Sequence, residues 1–269
     1  MSGLPRIAVV GVGNMGEALV KGLLDRGLAR PEGLSAAEKV PERARQVAER
    51  YGIQVVPSAE EACRGASLVV LAVKPQDVDP ALAGIRATRP ALVVSVCAGV
   101  TLAQLERGLP EGTAVVRVMP NTPALVGEGV SVYCANARVA PEHEDQVRRL
   151  LGALGPVHRV DREDLMDAVT GLSGSGPAYV FAFLEALADG GVLVGLPRPL
   201  ARALALQTVL GAVRLAAASG EHTAELKDRV ASPGGTTIWG LRELERNGFR
   251  AAVIEAVRAA TERSRQLGG

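Results

Sequence analysis

The chain has 269 residues, enough for one large domain or two modest ones with a full core. Thirty Lys and Arg against 29 Asp and Glu leave a net charge of +1, and aromatic residues are only 3%. That balance argues against nucleic-acid or anionic-membrane binding, and it supplies no stacking platform for single strands.

The chain opens Met1-Ser2-Gly3-Leu4-Pro5-Arg6 and runs straight into an apolar stretch that glycine interrupts at once. No signal peptide is expected from such a start, and the reading is a soluble, cytoplasmic protein. The apolar stretch 177–196 carries Glu185, Asp189 and a Gly190-Gly191 pair, so it reads as a helix of a folded protein rather than a membrane span. Cys63, Cys97 and Cys134 form no C-x-x-C, which fits a reducing compartment. His143, His158 and His222 are scattered, and no metal site is expected from them.

Short β-branched runs at 7–10, 53–56, 68–73, 92–96, 114–118 and 129–133 alternate with helical periods at 15–26, 41–51, 102–108 and 141–154. This alternation predicts an α/β fold, a mostly parallel sheet with helices on both faces. The runs at 114–118 and 129–133 have no helix between them, so an antiparallel edge or a locally mixed sheet is expected there. After Asp161 only helical periods remain, at 165–169, 177–195, 199–219, 223–230, 236–247 and 249–267. The predicted domains are therefore 1–161 and an all-helical 162–269. The second is rich in Ala and Leu on more than one helical face, which points to a subunit interface.

Gly11-Val12-Gly13-Asn14-Met15-Gly16 fits G-x-G-x-x-G between a predicted strand and a predicted helix. That context marks a dinucleotide-binding turn: Gly11 for the turn, Gly13 for approach of a pyrophosphate, Gly16 for helix packing. The alternative is a glycine-rich turn with no ligand. Glu38 ends the second strand, where a carboxylate takes both ribose hydroxyls of NAD and repels a 2′-phosphate. Lys39 and Arg43 follow and would act in the opposite sense. Glu38 leans the reading toward usable NADH without excluding NADPH; a solvated surface Glu is the alternative. Ala72-Val73-Lys74-Pro75 and Val96-Cys97-Ala98 end two further strands, where open α/β sheets bind ligands. The Cys97 side chain itself reads as a small packed hydrophobe.

In the helical half, Ser232-Pro233-Gly234-Gly235-Thr236-Thr237 opens a predicted helix. Free N–H groups there, with hydroxyls beside them, make a carboxylate receptor; an ordinary capped turn is the alternative.

These segments resemble the pyrroline-5-carboxylate reductases. Residues 11–16, 72–75, Arg117-Val118-Met119-Pro120-Asn121-Thr122-Pro123, 167–179, 190–197 and 226–241 match that family in its order, and the Ser-Pro-Gly-Gly-Thr-Thr segment is its signature. The resemblance implies an N-terminal Rossmann-type domain and a C-terminal helical domain that dimerises and can assemble further into a decameric ring. It implies hydride transfer from NAD(P)H to the cyclic imine 1-pyrroline-5-carboxylate, giving L-proline, the last step of proline biosynthesis. By resemblance, Thr236 and Thr237 hold the substrate carboxylate with Ser232 nearby. Glu163 matches a substrate-contacting position, Thr170 one beside the ring nitrogen, and 72–75 and 96–98 cofactor-contacting backbone. Glu38 departs from relatives that carry a small hydroxyl residue there, His222-Thr223 replaces a frequent His-Pro pair, and Arg229 stands where relatives vary.

A protonated imine is already electrophilic, so the absence of His and Lys between 170 and 179 is no obstacle. Two other readings stand beside this one. A β-hydroxyacid dehydrogenase would resemble its relatives in a catalytic lysine of the helical half, where Lys227 is the sole lysine. A non-catalytic dinucleotide sensor would not need both Gly-rich segments.

Overall fold

The computed structural model describes residues 4–268; Met1, Ser2 and Gly3 of the opening segment lie outside them. The chain runs β1 (Ile7–Val10), α1 (Asn14–Asp25), β2 (Leu34–Ala37), α2 (Pro41–Tyr51), β3 (Gln54–Val56), α3 (Ala59–Cys63), β4 (Leu68–Leu71) and α4 (Val78–Thr88). It continues with β5 (Leu92–Ser95), α5 (Leu102–Gly108), β6 (Ala114–Met119), β7 (Ser131–Ala135), α6 (Pro141–Gly152), β8 (Val157–Arg159) and α7 (Leu165–Val169).

The strands form one sheet in the order β3-β2-β1-β4-β5-β6-β7-β8. Pairing is parallel from β3 through β6, antiparallel between β6 and β7, and parallel again between β7 and β8. The reversal falls where the sequence lacks a connecting helix: without a crossover the chain can only turn back. Side chains on a strand alternate between faces, and both faces here are apolar. Ile7, Val9, Leu68, Val70, Leu92 and Val94 join one core with Leu19, Leu23 and Leu150 from α1 and α6. Ala8, Val10, Val69, Leu71, Val93 and Val115 join the opposite core with Ala62, Leu82, Ile85 and Leu105 from α3, α4 and α5. Helices therefore cover both sides, as near-continuous apolar strands require.

Two strands escape the sequence pattern. β2 is Leu-Ser-Ala-Ala, without β-branched residues, yet fully buried; Ser35 donates to the Ala62 carbonyl at 2.6 Å, which satisfies its hydroxyl. β8 is Val-His-Arg on the sheet edge, held by the pairing of Ser131–Tyr133 with Val157–Arg159.

By packing, the chain divides into one unit of Met1–Gly174 with Ala260–Gly269 and a second of Ser175–Ala259. This division of packing falls after Gly174. Met166 of α7 is buried with Val132 and Cys134 of β7, which ties residues 162–174 to the sheet.

The second unit holds α8 (Gly176–Leu193), α9 (Arg198–Ser219), α10 (Thr223–Val230), α11 (Thr236–Arg246) and the start of α12 (Phe249–Gly268). α8 and α9 approach closely at Gly191, where a Cβ would lie 3.1 Å from the Ala201 Cβ. Phe183 meets Phe249 at 6.1 Å between ring centroids, and Tyr179 donates to the Ala256 carbonyl at 3.4 Å. Much of the apolar surface stays open: Phe181, Leu204, Leu206, Leu210, Val213, Leu215 and Trp239 are all exposed. On length and composition alone α9 could cross a membrane, with a hydropathy of 1.4.

Candidate active site

The order β3-β2-β1-β4 places the reversal of strand order between β1 and β4, the position where open α/β sheets bind ligands. The chain leaves β1 at Gly11, whose φ of +92° is a conformation L side chains rarely adopt. A Cβ there would also lie 2.6 Å from the Ala72 carbonyl oxygen. Gly16 sits one turn into α1, where a Cβ would meet the Gly11 carbonyl oxygen at 2.0 Å. Gly13 is different: nothing approaches its Cβ position within 4 Å. It is the N-cap of α1, and no side chain caps the helix. The first N–H groups of α1 are thus free of side-chain partners beside open space, the geometry a pyrophosphate needs.

A cleft of about 600 Å³ adjoins this turn, lined by Gly11, Gly13, Glu38, Lys39, Ala72, Val73, Lys74 and Asp77 among others. That volume suits a nucleotide-sized ligand. Its wall from α3 and α4, including Ser58 and Gly84, is a part the sequence reading missed. Ser58-Ala59-Glu60-Glu61 carries the signal, because Ser58 accepts from the Glu61 N–H at 3.1 Å as an N-cap.

Glu38 accepts from the Val12 N–H at 3.3 Å and from the Val40 N–H at 3.0 Å, so its carboxylate lies against the turn. The two cations that follow Glu38 in sequence have acidic partners of their own. Lys39 pairs with Asp77 at 3.0 Å. Arg43 donates to the Val12 carbonyl at 3.0 Å and pairs with Glu17. Glu17 also receives Arg50 at 2.7 Å and the Tyr51 hydroxyl at 2.9 Å. Burial pushes the Glu17 carboxyl up, but the Tyr51 hydrogen bond and the two guanidinium groups outweigh it and hold it below its ordinary range. This network ties α2 to the turn.

The remaining expected cofactor residues do not line the cleft. Val12 is fully buried and acts through its backbone. Asn14 and Met15 open α1, and Pro75 opens a short 3-10 turn after β4. Val96, Cys97 and Ala98 follow β5. Cys97 is buried, with its thiol directed to the Leu71 and Val73 carbonyls at 3.5 and 3.2 Å. Burial pushes its thiol up, consistent with packing rather than chemistry.

Glu163 is engaged within the first unit. Its Oε1 accepts from the Leu102 N–H and from Arg117, both at 2.8 Å. Arg117 is nearly buried on β6, so this pair fastens the approach to α7 onto the sheet. Arg117 belongs to the 117–123 stretch, and its link to a residue 46 positions away had no signal in the sequence. Thr170 is half-buried and begins a π-helical turn, Thr170–Gly174. Its hydroxyl donates to the Met166 carbonyl at 2.9 Å.

In the second unit, α11 opens at Thr236 with Gly235 as its N-cap and no side-chain cap. Ser232 folds back beside this start: a Cβ on Gly235 would lie 2.2 Å from the Ser232 Oγ. Three hydroxyls and a row of uncapped N–H groups therefore share one helix start, without any cation in the set. Upstream, His222 caps α10 by accepting from the Ala224 N–H at 3.2 Å, so the helix starts without a proline at residue 223. Arg229 pairs with Glu221, and Lys227 with Asp228 at 3.1 Å.

Comparison with known proteins bears on this arrangement. Residues 163–267 match the family described as pyrroline-5-carboxylate reductase dimerisation, and residues 6–99 match NADP oxidoreductase coenzyme F420-dependent. A pyrroline-5-carboxylate reductase of Synechocystis is 47% identical over 98% of both chains. The structure of a pyrroline-5-carboxylate reductase from Coxiella burnetii superposes with a TM-score of 0.93 at 32% identity, covering 99% of each chain. Plasmodium falciparum pyrroline carboxylate reductase, solved with NADP bound, gives 0.88 at 36% identity over 98% of each. With a Rossmann-type sheet, a helical second unit and relatives of this identity along almost its whole length, the chain belongs to the pyrroline-5-carboxylate reductase family.

Proposed function

We propose that the protein reduces 1-pyrroline-5-carboxylate to L-proline at the expense of NAD(P)H, the final step of proline synthesis. The observation that carries this reading is the pair of uncapped helix starts, α1 behind Gly13 and α11 behind Gly235. One suits the pyrophosphate of a dinucleotide, the other the carboxylate of an amino-acid-like substrate. When bound, the nicotinamide supplies the hydride that reduces the C=N carbon.

The chain's own residues bind and orient. Ser232, Thr236 and Thr237 hold the substrate carboxylate by hydroxyl and backbone N–H groups. Thr170 spends its proton on the Met166 carbonyl, so its oxygen keeps lone pairs that can accept the N–H of a protonated imine. Thr170 then orients the ring nitrogen, and alignment supplies the rate. Glu163 supports the substrate site from the start of the 162–269 segment, held by Arg117. The test is direct: the purified protein should oxidise NAD(P)H when the imine is added and not when β-hydroxyacids or their ketoacids are supplied. Tight dinucleotide binding without turnover would favour a sensor instead. For Thr170→Ala, kcat should fall about tenfold, the order expected from one charge-assisted hydrogen bond, while the Kd for the dinucleotide is preserved.

The cofactor proposal is that Gly11–Gly16 and residues 72–75 and 96–98 bind NADP(H) or NAD(H), with NADH usable. Support comes from Glu38 at the cleft wall and from the engagement of Arg43 and Lys39 with acids. Glu38→Ser should shift the ratio of NADPH to NADH affinity by about tenfold toward NADPH, the effect of removing one like charge at partial solvent exposure. Fluorescence titration with both dinucleotides measures it, and an unmoved ratio removes Glu38 from ribose recognition.

The protein is further proposed to self-associate through 162–269, as a dimer that can assemble into a decameric ring. The open apolar faces of α8 and α9 support this, since exposed patches of that kind mark interfaces. α9 carries Arg198, Arg202 and Arg214, and we read it as an interface helix of a soluble, cytoplasmic enzyme, not a membrane span.

A further inference from the structure

The segment Thr170–Gly174 departs from α-helical spacing into a π turn. Such turns are rare and are favoured at functional sites, where surrounding contacts hold them. The contacts here are specific. The hydroxyls of Thr170 and Ser173 donate to the Met166 and Val169 carbonyls at 2.9 and 3.0 Å, the carbonyls four residues back that an α-helix would assign to backbone N–H groups. The Ser173 carbonyl in turn accepts from the Asn121 Nδ2 at 3.1 Å, across 52 positions of sequence. The Asn121 Oδ1 accepts from the Val130 N–H at 2.9 Å. A carbonyl can only accept and an N–H can only donate, so the two partners together fix which way the amide faces. Met119, two residues before Asn121, closes on the end of the turn: a Cβ on Gly174 would lie 2.4 Å from its Cε. From α12, Ser264 donates to Asp167 at 2.7 Å and steadies the helix leading into the turn.

We propose that Asn121 is a positioning residue for the reductase reaction. Its amide clamps the Ser173 carbonyl, which holds the π turn in the form that presents the Thr170 hydroxyl. The loop after β6 and the turn carrying Thr170 thereby become one rigid piece. The proposal rests on the role given to Thr170 above. It also assigns a purpose to a side chain of the 117–123 stretch that neither the dinucleotide turn nor the carboxylate receptor uses.

Two variants of the full chain test it. Asn121→Ala removes both hydrogen bonds. Asn121→Asp keeps an acceptor for Val130 but sets an anionic oxygen against the Ser173 carbonyl, so it opposes the clamp while leaving the Val130 hydrogen bond in place. The measurements are kcat and KM for the imine, Kd for NADH by fluorescence, and the melting temperature. In Asn121→Asp, kcat should fall roughly tenfold to a hundredfold, the range that small misplacement of a reacting group produces. The Kd for NADH should stay within about twofold, well under the tenfold that 1.4 kcal/mol represents. The double variant with Thr170→Ala should be no slower than Thr170→Ala alone, because both changes remove one unit. Wild-type kcat in Asn121→Asp beside a slow Thr170→Ala overturns the clamp and leaves the Thr170 reading standing. Losses that multiply in the double variant, or a kcat loss matched by equally weakened NADH binding, also overturn it. A Thr170→Ala variant with wild-type kcat removes the role of Thr170 and the clamp with it.

Discussion

Thr237→Val should raise the KM for 1-pyrroline-5-carboxylate by roughly 10- to 150-fold while kcat changes little. The change deletes one hydroxyl and keeps the side-chain shape, so the start of α11 is undisturbed. A hydrogen bond to a charged group contributes about 1.5–3 kcal/mol, and that range sets the expected factor. The receptor proposed at α11 contains hydroxyls and backbone N–H groups but no Lys or Arg, so no cation of that set would compensate. The carboxylate itself is unchanged in the reaction, so its contacts act about equally on ground and transition states, and the loss should fall on KM. Steady-state kinetics with the dinucleotide saturating measures both constants. An unchanged KM would remove Thr237 from the receptor, and a kcat loss without a KM effect would place it in the chemistry instead.

The second large effect separates two glycines of one turn. Gly16→Ala would press a methyl carbon to 2.0 Å from the Gly11 carbonyl oxygen, a backbone atom that cannot swing aside. Overpacking of this kind costs about 1–3 kcal/mol and sometimes more. The cost falls on the fold and on the turn together: the melting temperature should drop, and dinucleotide affinity should weaken by at least about tenfold. Gly13→Ala should behave differently. Its φ of −65° is ordinary for alanine, and the space beside it is open. The melting temperature should hold while dinucleotide affinity falls, since the methyl would occupy the approach of the pyrophosphate. Thermal denaturation without ligand, paired with fluorescence titration, tests the contrast. Unchanged dinucleotide affinity in Gly13→Ala would mean that the open space beside Gly13 is not a ligand position.

The Gly-rich turn was legible because Gly11 and Gly16 answer steric demands written locally, while Gly13 leaves open space beside it. The parallel sheet was legible for a similar reason: 7–10, 68–71 and 92–94 are apolar at every position, as strands covered on both faces must be. β2, expected only as the strand that Glu38 ends, and β8 lack a β-branched pattern because their strand character comes from neighbours: Ser35 bonds the Ala62 carbonyl, and His158 and Arg159 are strand residues only through β7. The same limit applies to the site. Glu163 reads by resemblance as a substrate contact, yet its carboxylate in the structure receives Arg117 and the Leu102 N–H, partners far off in sequence. The π turn is likewise invisible in Thr-Gly-Leu-Ser-Gly, because it depends on back-bonded hydroxyls and on Asn121. Residues 162–174 follow the helical period, and what that period does not show is that Met166 is buried against β7 and that Ser264 of α12 bonds Asp167.

The three thiols of the sheet-bearing unit are all interior. Burial pushes Cys63 up to about 12, and burial with the nearby Glu163 charge pushes Cys134 up to about 11. Only the thiolate attacks peroxide or an alkylating reagent. An enzyme that draws reducing equivalents from the cell's nicotinamide pool thus keeps its three thiols out of that economy, and oxidants meet none of them as a thiolate until the sheet comes apart.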